Sequence, residues 1–212
     1  LDLRLPAETL ARLNQSTEGW AVGLQLAAIA LARQPESWQA LAGQEHIFDY
    51  LAEEVLHREA PEVQNFLKIT ALFDRFCAPL CEHLFSSSQF PLGELGRRAS
   101  HDFGEGWEGA FSYIERANLF LVPLDSAWYR YHALFTDFLR KQVTPAQAAP
   151  FYRAASDWCE QNGLRDDAIH YAVHAEDYER AAHLIEQHYQ DMLQRGEQAA
   201  LAEWIACLPS GL

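Results

Sequence analysis

Apolar residues recur every three or four positions along most of the chain, which is the spacing of one face of an α-helix. The first such segment runs from Trp20 to Arg33, begins after the capping cluster at 16–19 and ends near Pro35. We predict further helices over 47–57, from Pro61 through Thr70, and over 78–84. The chain is therefore expected to be mainly helical.

One pair of short segments departs from the helical spacing and predicts a β-hairpin. Leu119–Val122 and Trp128–Tyr131 are rich in branched and aromatic residues, and the connection between them contains Pro, Asp and Ser. A polar loop over 86–106 and a helix over 107–117 precede the hairpin. A helix over 134–143 follows it and is expected to end at Thr144-Pro145. Helices, then a hairpin and a closing helix, are the order of a winged-helix domain.

The last part of the chain has the pattern of paired helices. One helix follows Pro150 and stops at Gly163, a second opens at Asp166-Asp167, and a longer one over 178–194 ends before Gly196. The two glycines lie 33 residues apart, a period typical of tetratricopeptide-like repeats. The predicted fold class is thus mainly α: a helical segment, a winged-helix domain with a small β-hairpin, and tetratricopeptide-like helical hairpins.

The charge of the chain argues against nucleic acid as its ligand. Sixteen basic side chains face 30 acidic ones, a formal net charge of −14, whereas DNA binding needs Lys and Arg to displace counterions from phosphates. The helix predicted over 107–117 would read DNA in a winged-helix protein, yet Arg116 is its only basic residue. We expect no DNA binding by this chain and expect that helix to pack its apolar face inside the protein.

Cysteine usage and hydropathy indicate a cytoplasmic setting. Four scattered cysteines are too few for a disulfide framework and favour a reducing compartment. No apolar run approaches the roughly 18 residues that span a bilayer, and no basic-then-apolar leader is visible, so no membrane contact is expected. The chain begins at Leu1, and its one methionine is Met192, which suggests a piece of a longer protein.

Several segments, in order along the chain, form a recognisable set. One reads TEGWAVGLQLA, and another reads FLKIT followed after one residue by LFDRF. The full set is Thr17–Ala27, Phe48–Leu56, Phe66–Thr70 with Leu72–Phe76, Asn118–Asp125 and Trp128–Phe135. Together they resemble the MalT-like regulators, the large ATP-binding LuxR-family transcription activators, which belong to the signal-transduction ATPases with numerous domains.

The resemblance implies a place in a multidomain protein. Residues 1–43 would be the end of the ATPase helical domain, 44–145 the winged-helix domain, and 146–212 a helical arm with the start of tetratricopeptide-like repeats. The implied partners are the N-terminal ATPase domain and the C-terminal sensor and helix-turn-helix domains of the same protein, with self-association in the active state. ATP or ADP would be the cofactor of that parent protein. This chain lacks a Gly-x4-Gly-Lys-Ser/Thr phosphate loop, so it is expected to hold no cofactor alone.

The same resemblance assigns two residues to a nucleotide site that is complete only with the ATPase domain. His132, directly after the hairpin, resembles the winged-helix histidine that approaches the ADP β-phosphate. Trp20 opens the helix that packs near adenine, although Ala21 stands where the family often has proline. The alternatives are that His132 is a structural histidine at a strand end and that Trp20 is an ordinary packing aromatic.

Other candidate sites are weaker. His170 and His174 lie one helical turn apart, as metal ligands can, but no third ligand is evident and a solvated helix face is the better interpretation. Cys77 and Cys81 are interpreted as small buried hydrophobic residues. No nucleophile–base or carboxylate pair supports an enzyme, so catalytic and metal residues are both predicted to be absent.

Two functions remain open. The first is a regulatory inter-domain module of an ATP-dependent LuxR/MalT-type transcriptional regulator, which couples nucleotide state and inducer sensing to oligomerisation and transcription activation. The second is a tetratricopeptide-like protein–protein interaction module without a nucleotide role. A phosphate loop upstream of this chain in the parent protein is expected only for the first.

Overall fold

The computed structural model describes residues 52–53, 56–86, 107–117, 119–125, 127–196 and 198–209. The helix predicted over 20–33, most of the loop over 86–106 and the candidate Trp20 lie outside these residues. Within them the chain is mainly helical with a small antiparallel sheet, which confirms the predicted fold class.

The described residues of the helix predicted over 47–57, namely 52–53 and 56–57, are helical, and two helices and a short strand follow them. Helix α1 spans Pro61–Thr70, with Pro61 in its first turn, where the missing N–H costs nothing. Its buried face carries Val63, Phe66, Leu67 and Thr70, as the spacing predicts. Strand β1, Phe76–Cys77, and helix α2, Ala78–Ser86, follow without a break.

The hairpin and its flanking helices complete the winged-helix part. Helix α3 covers Trp107–Arg116, strand β2 Leu121–Pro123, strand β3 Trp128–Tyr131 and helix α4 Ala133–Arg140. The sheet order is β1-β3-β2, all antiparallel, with Phe76 opposite Tyr129 and Leu121 opposite Tyr131. The turn is held by Asp125, whose Oδ1 accepts from the backbone N–H groups of Ala127 and Trp128, each at 2.9 Å. The predicted hairpin is therefore present, and β1 is a third strand that the prediction missed.

Four helices form the remaining part: α5 spans Pro145–Gln161, α6 Arg165–His174, α7 Tyr178–Arg195 and α8 Gln198–Cys207. The prediction that Thr144-Pro145 only ends the preceding helix, and that the next helix follows Pro150, was wrong. Thr144 instead starts α5 through a capping box with Gln147, and Pro150 lies inside the helix. Gly163 and Gly196 adopt φ values of +73° and +79°, so both end helices as predicted.

One hydrophobic core runs through both parts. Phe66 and Phe76 lie at its centre in the winged-helix part, and Phe151, Tyr171 and Leu184 continue it through the paired helices. The rings of Phe85 on α2 and Phe151 on α5, 6.1 Å apart, join the two. Among the described helices, none has the length and apolarity that crossing a membrane requires.

Candidate functional site

His132 stands where β3 ends and α4 begins, and its backbone is held on both sides. It occupies the N-cap position of α4, with φ −65° and ψ 141°. Its N–H donates to the carbonyl of Phe120 at 3.0 Å, and its own carbonyl accepts from the N–H of Thr136 at 2.9 Å. The first bond ties the residue to the chain entering β2, and the second to the first turn of α4. The structure therefore presents the imidazole from a fixed point between sheet and helix.

The residue that accepts the His132 N–H is itself in an unusual conformation. Phe120 has φ +60°, a left-handed backbone that costs a residue with a side chain about 1–2 kcal/mol. Its ring is buried and packs against Phe135 of α4 with centroids 5.0 Å apart. Ring packing and the hydrogen bond to His132 together hold this strained turn. A strained backbone beside a candidate functional residue is a recurring feature of binding sites.

The electrostatic setting of His132 favours a neutral imidazole. Burial, and then the positive charge of Arg130, lower the pKa of His132 from its usual 6.5. A neutral imidazole offers one N–H donor and one acceptor nitrogen. The nearby guanidinium adds a positive charge, so an anionic group arriving from solvent would find a donor and a cation together. Such an anion would also raise the histidine's pKa, because opposite charge favours protonation.

A buried chain of hydrogen bonds anchors the end of strand β3 to helix α1. Thr70 on α1 donates its hydroxyl to the Phe66 carbonyl at 2.7 Å, and the Tyr131 hydroxyl lies 2.8 Å from the same Thr70 oxygen. Since the Thr70 hydrogen is already used, Tyr131 is the donor in the second bond. Burial raises the pKa of Tyr131 far above 10, so it remains a neutral donor. This anchor fixes the residue immediately before His132.

The other predicted sites are ordinary in structure. The rings of His170 and His174 lie 4.4 Å apart, and His174 also packs on Tyr152 at 5.2 Å. Within the described residues no cluster of three or more His, Cys, Asp or Glu side chains is arranged to bind a metal. Cys77 and Cys81 are free and buried, as predicted, and burial raises both thiol pKa values.

The helix considered for DNA reading packs inward. Phe111 and Ile114 of α3 are buried, and the Phe111 ring lies 4.7 Å from that of Tyr129 on β3. The exposed side of α3 includes Ser112, Glu115 and Arg116. Its apolar face is thus used by the core, as expected from the sequence.

Comparison with known families decides the nature of this fold. The family model of the MalT winged helix domain matches residues 52–150. Residues 52–150 are therefore similar to the winged helix domain of the MalT-like regulators. The match includes β1, the hairpin, His132 and α4, and it ends inside α5. Trp20, His170 and His174 lie outside it.

Relatives of two kinds extend the similarity over nearly the whole chain. The serine/threonine-protein kinase PknK of Mycobacterium tuberculosis is 30% identical over 219 aligned positions, which cover 99% of this chain and 18% of the kinase. The HTH-type transcriptional regulator MalT of Klebsiella pneumoniae is 28% identical over 216 positions, covering 97% of this chain and 22% of the regulator. The chain therefore spans about a fifth of the length of these curated relatives.

His132 is a candidate named from the sequence and stays a prediction, whereas the residues that hold its backbone were not predicted. The left-handed Phe120 has no sequence signal, because that conformation is typical of Gly or Asn. The bond between Thr70 and Tyr131 joins residues 61 positions apart and cannot be read from local pattern. Trp20 stays a prediction, since the structure does not describe it.

Proposed function

We propose that this MalT-type module is a regulatory link in an ATP-dependent LuxR/MalT-type transcriptional regulator. It couples the nucleotide state of an ATPase domain, and inducer sensing by C-terminal domains, to oligomerisation and transcription activation. In this proposal ADP belongs to the parent protein, and the resting state is held when His132 donates to an ADP phosphate oxygen. In this proposal the chain has a regulatory role and not a catalytic one.

The geometry of His132 is the observation that carries the proposal. Its backbone is bonded to Phe120 and Thr136, its imidazole is half-buried, and Arg130 contributes positive charge. The backbone bonds alone would fit a structural histidine equally well. A partly exposed, neutral donor near a guanidinium is, in addition, well suited to a phosphate oxygen, for which both groups are favourable.

The two kinds of relatives support a linking role and not an output role. One relative is named a protein kinase and the other an HTH-type transcriptional regulator. A module shared by proteins with such different names is suited to control an output that other domains supply. The net charge of −14 supports the same view, because it disfavours direct DNA contact. Three free, buried cysteines support a cytoplasmic location.

The test is His132→Ala in the full-length protein, with His188→Ala on α7 as a matched control. Loss of a hydrogen bond to a charged group costs about 1.5–3 kcal/mol, and each 1.4 kcal/mol is a factor of ten. ADP release and inducer-free transcription should therefore rise by roughly one to two powers of ten, and the control should change neither. A lower melting temperature with unchanged ADP release would leave His132 as a structural residue and refute the proposal.

The second candidate is an interaction module without a nucleotide role. Apolar side chains remain open on the last helices: Tyr189 is 43% exposed, Leu193 45% and Ile205 54%. Paired helices with such a face resemble tetratricopeptide-type binding modules. This alternative predicts a full-length protein whose activity is indifferent to ADP, so a nucleotide titration of activity separates the two.

A further inference from the structure

The segment between α1 and β1 contacts four other elements: α4, α5, α6 and β3. We call Ala71–Arg75 the hub turn; it overlaps the LFDRF motif, Leu72–Phe76, that the family resemblance singled out. From α4, Arg140 donates to the Ala71 carbonyl at 2.7 Å and to the Leu72 carbonyl at 3.2 Å, and pairs with Asp74 at 2.9 Å. These carbonyls lie at the C-terminal end of α1, where helices leave acceptors unsatisfied.

The paired helices α5 and α6 contact the other side of the hub turn. Phe73 is buried between Tyr152 of α5 and Tyr171 of α6, with ring centroids 6.0 and 5.3 Å away. Arg75 pairs with Asp167, in the first turn of α6, at 2.9 Å. The guanidinium of Arg75 also lies 4.6 Å from the ring centroid of Trp128 on β3. The hub turn therefore fastens the winged-helix part to the paired helices.

Helix α4 joins this hub to the candidate site. His132 caps its first turn and Arg140 is its last residue, so the two lie at opposite ends of a helix roughly 12 Å long. Phe135, Phe138 and Leu139 embed the helix in the core between them. A shift of one end is thus carried to the other by a stiff element.

The contacts of Arg140 fix the position of the hub turn more than they add to the free energy of folding. Its side chain is 36% exposed and that of Asp74 is 69% exposed, and ion pairs at such positions contribute little to folding. The planar guanidinium, however, holds two carbonyls and a carboxylate at once, a fork that lysine cannot reproduce.

From these contacts we propose that α4 is a coupling lever: Arg140 is a positioning residue that ties His132 to the hub turn and, through it, to the paired helices. The inference rests on the proposed function, in which His132 senses nucleotide. When His132 leaves the phosphate, α4 moves as a unit, and the hub turn passes that movement to α6 and the helices after it.

The mechanical part is tested by hydrogen exchange in the full-length protein. Arg140→Met should raise exchange at the Leu72 and Phe73 amides, which donate to Ile69 and Thr70 carbonyls, and in the first turn of α6. Arg153→Met is the matched control, because Arg153 is 56% exposed and its ion-pair partner at 3.7 Å, Asp177, is not part of the hub turn. Equal exchange in both variants would overturn the lever. Asp74→Asn, which keeps the carbonyl bonds, should give an intermediate increase.

The coupling part is tested by combining substitutions. With Arg140 present, His132→Ala should speed ADP release and raise inducer-free output at least tenfold. With Arg140→Met, His132→Ala should still speed ADP release but change output by less than about twofold, because the lever is released. Additive effects on output would overturn the lever and leave the nucleotide role intact. Unchanged ADP release after His132→Ala in both backgrounds would refute the proposed function, and the exchange experiment would still decide whether Arg140 holds the hub turn.

Discussion

Two consecutive helices end in the same motif but with different residues. At the end of α5, the Leu164 N–H donates to the Cys159 carbonyl at 2.8 Å around the left-handed Gly163. At the end of α6, the Asp177 N–H donates to the Ala172 carbonyl at 3.0 Å around Glu176, whose φ is +55°. Both are Schellman caps, in which glycine is the favoured left-handed residue. We therefore predict that Glu176→Gly stabilises the protein.

The expected gain follows from two opposing effects. A residue with a side chain pays about 1–2 kcal/mol for the left-handed conformation, and glycine does not. Glycine loses about 0.5–1 kcal/mol more through the greater freedom of the unfolded chain. The net gain is about 0.5–1 kcal/mol, which corresponds to a rise in melting temperature of about 1–4 °C for a protein of this size.

The matched control is Glu186→Gly in the middle of α7, at another exposed glutamate. The unfolded chain changes in the same way in both variants, so their difference reports the native backbone alone. Glu186→Gly should lose about 0.5–1 kcal/mol, because glycine is a poor residue for a helix interior. Thermal and urea unfolding of the 212-residue chain measure both. If both variants lose equal stability, Glu176 is not strained and the reasoning is refuted.

Two further predictions concern the core and pH. Thr70→Val should lower the free energy of unfolding by about 1–3 kcal/mol, because it leaves the buried Tyr131 hydroxyl without its hydrogen-bond partner. Adding Tyr131→Phe should restore part of that loss. A double variant less stable than Thr70→Val would contradict the assigned bond. Burial lowers the pKa values of His132 and His174 below 6.5, so the unfolded chain takes up protons that the folded chain resists. The melting temperature should therefore fall as pH drops below about 6.5. Replacing both histidines with glutamine should reduce this fall in melting curves recorded between pH 7.5 and 5.5. An unchanged dependence on pH would show that the two histidines do not cause it.

Elements with a regular apolar face could be predicted from sequence. Val63, Phe66, Leu67 and Thr70 follow helical spacing, and all four are buried in α1. The strand over 128–131 has the predicted bounds because its aromatic residues are followed directly by a helix. Where side chains repeat with a single period, the local pattern was enough.

Elements created by contacts from elsewhere in the chain could not be predicted. Strand β1 has two residues, too few to alternate, and exists because Phe76 and Cys77 pair with Tyr129 and Trp128. The start of α5 was missed because Pro150 suggested a break. Pro150 and Ala146, one turn before it, are both exposed, so water can satisfy the Ala146 carbonyl that the proline leaves without a donor.

The candidate site, too, could be predicted from sequence only in part. His132 follows a recognisable strand motif and could be named from sequence. The Thr70–Tyr131 bond that anchors the preceding residue spans 61 positions. At the other end of α4, Arg140 reaches backbone carbonyls 69 and 68 positions earlier, and carbonyls carry no side-chain signature. The motif LFDRF was therefore recognisable, but its role in joining the two parts of the molecule was not.

The shared core also limits how evolution can rearrange such proteins. The winged-helix match ends at residue 150, yet α5 continues to Gln161 and covers Phe73 through Tyr152. A gene fusion joined at residue 150 would therefore strip aromatic partners from the winged helix and leave apolar surface in water. A junction directly after α6 would expose the same core, because α7 buries Leu184 and Ile185 in it. The winged helix and the three helices α5 to α7 should consequently be inherited as one indivisible block.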